Sequence, residues 1–202
     1  MLQLTFGDQP ARDRTLDGIR AIHRRVNGRL RQAVGPFPAG TYYSAEDPDL
    51  VLWVHVTLVE SLVRVYDALV FPLDAGARDA YTAETRGLAL ELGARDRDVP
   101  ATWEALEACV AATRQSGVIA VGPDARSLAE AVLRPPLSSV IWPITRINRA
   151  VSIGMLPEDV RAQYGFQWTS RHDRRLARTC RFLAAGRRRT PRAVAWWAAA
   201  RR

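Results

Sequence analysis

"DPDLVLWVHVTLVESLVRVYDALVF", residues 47–71, opens with a complete helix-start signal. Asp47 is placed to act as N-cap, and Pro48 takes the first helical position, where its missing N–H costs nothing. The run that follows is apolar on more than one side, so it predicts a central, buried helix rather than a surface one. It contains the longest apolar stretch of the chain, Leu50 to Phe71. His55, Glu60, Arg64 and Asp67 interrupt that stretch and make it a poor transmembrane span.

On both sides the punctuation is again helical. Upstream, a helix is predicted from Gln9 or Pro10 to Asn27, with Gly28 close to its end, followed by the Pro/Gly-rich loop "GPFPAGTYYSA" (35–45). Downstream, "PLDAGARDAYTAETRGLALELG" (72–93) reads as a helix capped by Asp74 and closed by Gly93. "PATWEALEACVAATRQSG" (100–117) starts at Pro100, and "GPDARSLAEAVLRPP" (122–136) stops at Pro135 and Pro136. Shorter helices follow at about Pro143 to Ser152 and after Pro157. A long one runs through "TSRHDRRLARTCRFLAAG" (169–186) to Gly186, and a last one starts at Thr190 and Pro191. No strand, fixed-period repeat or low-complexity linker is evident. The reading is all-α: a single multi-helix bundle of about eight helices, one domain over residues 1–202, with a basic C-terminal tail at 187–202.

The 202 residues suffice for a substantial core, and the composition is that of a globular protein. All 29 cationic residues are arginine. Chemistry that needs a lysine amine, such as a Schiff base or a Walker lysine, is therefore excluded. The net charge of +8 is uneven: residues 168–202 hold eleven arginines and one acid, Asp173. That segment suits an anionic partner, a membrane surface or nucleic acid, or is simply a solvated face. Arg171, Arg174, Arg175 and Arg178 form one helix face; Trp196 and Trp197, flanked by Arg192, Arg201 and Arg202, suit either a membrane interface or docking on the core. No nucleic-acid motif is present, so nucleic acid is the less favoured partner. Cys109 and Cys180 are two distant thiols, expected reduced in a cytoplasm, and no signal peptide opens the chain.

Dinucleotide, P-loop and nucleophile-elbow signatures are absent, and no histidine has a carboxylate three residues before it or four to either side. Three histidines remain. His172 lies between charges in "SRHDRRLAR" (170–178). His55 sits in the buried helix. His23 interrupts the stripe Leu16, Ile19, Val26, Leu30 in "LDGIRAIHRRVNGRL" (16–30), where a core helix wants an aliphatic side chain. Each of the latter two is either a satisfied core group or an iron ligand, since an imidazole in an apolar helical pocket is a common way to hold haem. Arg20 and Asn27 lie on the same side of that helix as His23; Arg20 is a candidate partner for a haem propionate, or reaches water.

The elements "TFGD" (5–8), "IRAIHRRVNG" (19–28), "GTYYSAEDPDLVLWVHVTLVESLVRVY" (40–66), "PLDAGARDAYTAE" (72–84) and "GMLPEDVRAQYGF" (154–166) occur in that order. Together they resemble the mpaB / rubber oxygenase family, the latex-clearing-protein-like group of bacterial proteins and fungal membrane-bound oxygenases. The resemblance spans nearly the whole chain. It implies an all-α fold that binds haem b and uses dioxygen to cleave or oxygenate a hydrophobic small-molecule or polymer substrate, isoprenoid in the characterised members. By motif order it assigns the proximal iron ligand to His23, with His55 of the "WVH" element as the alternative. The family pattern also has a helical segment ahead of "TFGD", carrying an Arg and Thr pair and, in rubber oxygenases, a carboxylate base and a distal lysine. Those positions fall before Met1, so the expectation is either a truncated gene model or a shortened member that binds haem poorly or not at all, with the catalytic residues unassigned. The competing expectation is an inactive helical scaffold whose Arg-rich C-terminus docks on an anionic surface.

Overall fold

In the computed structural model, which describes residues 7–134 and 142–189, eight α-helices and one two-stranded sheet are present. The helices are α1 (Gln9–His23), α2 (Pro48–Leu69), α3 (Ala75–Glu91), α4 (Trp103–Gln115), α5 (Pro123–Leu133), α6 (Trp142–Gly154), α7 (Glu158–Gln163) and α8 (Ser170–Arg189). Strand β1 (Asn27–Arg29) pairs antiparallel with β2 (Tyr42–Ser44), Gly28 opposite Tyr43. The all-α expectation holds, with the small sheet as its one addition.

The caps explain most helix starts. Asp47 accepts from the Asp49 N–H at 2.9 Å and Asp74 from that of Ala77 at 2.7 Å, each satisfying a first-turn donor that no helical carbonyl reaches. Asp8 does the same for Ala11. α4 starts three residues later than Pro100 suggests, because Thr102 takes the cap and accepts from Ala105. Gly93 closes α3 with φ +109°, a conformation open to glycine and strained for other residues.

Two further boundaries differ from the sequence reading. α1 stops at His23, four residues short of Asn27, and Val26 and Leu30 are not on a helix. The reason is non-local: Ala45 N–H donates to Val26 O and Leu30 N–H to Thr41 O, so this segment finds its partners in the β2 region. Gly28 is a strand residue rather than a helix end; a Cβ there would meet the Tyr43 hydroxyl at 3.0 Å. α8 runs through Gly186 to Arg189, because Gly186 is not in the left-handed conformation that ends helices. Pro135, Pro136, Thr190 and the Trp196–Trp197 pair lie outside the described residues.

α2 is the central element, as its all-round apolar pattern predicts: it packs against α3, α4 and α8. Val56 and Val59 meet Leu106 and Val110 of α4, with Tyr81 and Trp103 at the edge; Val51 meets Ala89, Ala94 and Val99. Val56 and Leu106 are fully buried. Glu60, also buried, is neutralised within the helix by Arg64 at 2.7 Å.

Candidate functional site

Three helix faces and β2 converge on an apolar cavity of about 440 Å³. α2 supplies Trp53 together with Leu50, Val51, Val54, His55 and Leu58, the last five of which recur at three- and four-residue steps and so share one face. α3 supplies Leu88 and Ala89 and its C-cap Leu92, and α1 supplies Ile19 and His23 from its last turn. Tyr43 and Ala45 close the side next to the sheet. Val26, Leu50 and Val54 are exposed apolar side chains in this wall, so the cavity has an apolar mouth.

The two histidines singled out in sequence therefore line one cavity. His55 is buried, 7% exposed, and His23 is half-buried. Neither ring has a hydrogen-bond partner among the described residues, and no carboxylate or guanidinium lines the wall. Burial pushes the His55 imidazole below its ordinary value of 6.5, so the ring is neutral at pH 7 with a free nitrogen lone pair. A neutral imidazole facing an apolar space keeps a nitrogen lone pair able to accept a hydrogen bond or to ligate.

Arg20 is not in the cavity wall. Its Nε and Nη2 donate to the Glu91 carbonyl at 3.1 and 2.8 Å, and its Nη1 pairs with Asp17 at 3.2 Å. Arg12 reaches the Glu91 carboxylate at 2.7 Å. Both arginines thus clamp α1 to the C-terminal end of α3, where cations and the free carbonyls of a helix end attract, and so fix two walls of the cavity. His172 lies elsewhere: its Nδ1 accepts from the Thr169 N–H at 3.1 Å and its ring packs on Trp168. Cys109 and Cys180 are free thiols, both pushed up by burial, and neither is in the wall.

The sequence reading did not include Tyr43, Trp53, Leu88 and Leu92 in the site. For Trp53, the spacing to His55 along α2 offered no signal, since the two are not on one ridge. Leu88 and Leu92 share a face of α3, but periodicity does not say which helix that face meets.

Compared with known families, residues 1–185 match the model of the ER-bound oxygenase mpaB/B'/rubber oxygenase catalytic domain. The chain belongs to that family. No curated protein and no solved structure matches it. The mpaB/rubber oxygenase family is one of oxygenase catalytic domains, so a substrate and dioxygen are the partners its chemistry calls for. The match covers α1 to α7 and most of α8, and hence every wall of the histidine cavity. Among the described residues no helix is long and apolar enough to cross a membrane.

Proposed function

We propose that this protein is a haem-b-dependent oxygenase acting on a hydrophobic substrate, with the haem held in the α1–α2–α3 cavity. The observation that carries the reading is the pair of unpartnered imidazoles, His23 and His55, in one apolar space. The residues present fit the group. A porphyrin needs an apolar slot and an axial nitrogen, and this cavity offers a largely aliphatic wall with two imidazole side chains. Following the family motif order, His23 is assigned as the iron ligand and His55 as the alternative. When bound, haem supplies the redox-active iron that activates dioxygen.

The chain's own residues do the rest. Leu58, Leu88 and Leu92 exclude water, which keeps a charged or polar competitor out of the pocket. The exposed apolar mouth at Val26, Leu50 and Val54 suits entry of a hydrophobic substrate. Arg20 holds α1 on α3 and so sets the position of His23; a haem propionate would have to compete with Glu91 and Asp17 for it.

Hemin titration of the purified full chain tests this. A Soret band is expected that His23→Ala abolishes and His55→Ala leaves in place. The reverse outcome reassigns the ligand to His55, and no band in the wild type refutes the haem reading.

A second reading, docking on an anionic membrane surface, is favoured by one observation on α8. Phe182 is 78% exposed beside Arg178 and Arg181, an aromatic side chain set among cations. Deleting residues 187–202 and, separately, Phe182→Ser should weaken salt-sensitive binding to anionic vesicles. Binding to neutral vesicles with equal strength, or no vesicle binding, removes this reading.

A further inference from the structure

A second cleft, of about 830 Å³, lies between α5, α6, the segment after α7, and α8. It shares no residue with the histidine cavity, and its chemistry is opposite. Arg126, Arg146, Arg149 and Arg175 line it against a single carboxylate, Glu130. Nη1 of Arg149 is buried and has no hydrogen-bond acceptor among the described residues. Its guanidinium sits 5.9 Å over the ring of Phe166, which in turn stacks on Tyr164 at 5.6 Å. The cation is thus held in place by an aromatic face while one donor is left unmet. A buried donor without an acceptor costs free energy, and an anion arriving in the cleft would recover it.

The rest of the wall supports a ligand with two ends. Ile153, Phe166, Trp168 and Leu176 give an apolar floor beside the arginines. Trp168 is fixed from two sides: its Nε1 donates to Asp173 at 2.7 Å, and Arg161 lies 4.8 Å from its ring. His172 adds a donor. Because its Nδ1 accepts from the Thr169 N–H, its proton is on Nε2. The volume is within the usual range for small-molecule sites, roughly 300–1,000 Å³.

We propose that this cleft binds a soluble small molecule in which an oxyanion, carboxylate or phosphate, is joined to an apolar body. Arg149 takes the oxyanion through its unmet Nη1, Arg175 adds charge from α8, and the Ile153–Leu176 floor takes the apolar part.

Isothermal titration of the full chain with octyl phosphate and octanoate tests it, with octanol and inorganic phosphate as half-ligands. Both amphiphiles should bind, and each half-ligand should bind about tenfold or more weakly. Arg149→Met and Arg175→Gln should each weaken octyl phosphate by about tenfold, the loss of one charge-assisted hydrogen bond. Arg31→Gln, an exposed arginine outside the cleft, should not. Arg175 is exposed, so its variant decides the matter if Arg149→Met fails to fold by circular dichroism. Octanol binding as tightly as octyl phosphate, wild-type affinity in the folded variants, or no binding by the wild type overturns the proposal. Arg149-dependent capture of phosphatidate vesicles without binding of octyl phosphate also overturns it, because the anion would then be a membrane headgroup.

Discussion

Replacing His55 by leucine should stabilise the protein and remove part of its sensitivity to acid. The imidazole is 7% exposed, lines the apolar cavity, and makes no hydrogen bond to the described residues, so the substitution breaks none. Leucine has a similar volume and replaces a largely buried polar ring that makes no hydrogen bond among the described residues, a gain of at most about 1–3 kcal/mol. The pH term has a definite sign. Burial lowers the folded-state pKa below the ordinary 6.5, so below pH 6.5 the unfolded chain binds more protons than the folded one. Stability therefore falls as pH drops from 6.5, by at most about 1.4 kcal/mol per pH unit from this one group, until the folded pKa is reached. Above pH 6.5 the term is constant. Urea unfolding of wild type and His55→Leu, without hemin, at pH 7.5, 6.5 and 5.5 reads both effects. The wild-type-minus-variant difference cancels the carboxylates and the other two histidines. The variant should be more stable at every pH, by a margin that widens at pH 5.5. A variant less stable at pH 7.5, or a difference independent of pH, would mean the ring has a partner and would refute the reasoning.

Three further outcomes follow from the fold. Leu106→Ala, at a fully buried position against Val56 and Val59, should cost about 2–5 kcal/mol with an unchanged urea m-value, since it opens a cavity in the main core. Asp47→Ala should lower stability by about 1 kcal/mol in the same assay by freeing the Asp49 N–H at the start of α2, while Asp47→Asn should retain most of it. Arg20→Met removes the bonds to the Glu91 carbonyl; with the side chain 41% exposed, solvent screening limits the cost to about 1 kcal/mol. If Arg20 acts only as a clamp, hemin affinity should change no more than stability does, and a larger loss would place it on a propionate.

α2 was legible almost entirely because its information is local. Asp47 and Pro48 mark its start with their own side chains, and its apolar run states how deeply it is buried. α1 was misread at its end for the opposite reason. Val26, Asn27 and Leu30 take their hydrogen bonds from a segment some fifteen residues away, and such non-local pairing overrides the three- and four-residue apolar spacing. Gly186 shows the same limit in reverse: a glycine stops a helix only when its backbone turns left-handed, and here the chain continues. The candidate site divides in the same way. Each histidine was visible as an anomaly in its own apolar surroundings. Their meeting in one cavity depends on α1 and α2 both packing near α3, which no spacing within one helix encodes.

Where this fold leaves polar groups unmet is itself informative. Most buried polar side chains are satisfied close by: Thr82 donates to the Arg78 carbonyl at 2.8 Å, and Glu60 pairs with Arg64. Arg78 Nε lacks an acceptor, but its guanidinium is already neutralised by Asp67 at 2.7 Å and lies over Trp103, so it needs no ligand. His55 and Arg149 Nη1 differ from it. Each belongs to a cavity wall, one apolar and one cationic: Arg149 Nη1 is buried without an acceptor, and His55 makes no hydrogen bond among the described residues. Leucine or methionine would fill either position at lower cost. A polar group that persists at a cavity wall without an internal partner is best explained by a partner that arrives from outside. The opposite character of the two walls means that one guest cannot serve both: the histidine cavity suits an apolar group, and the unmet guanidinium donor suits an anion.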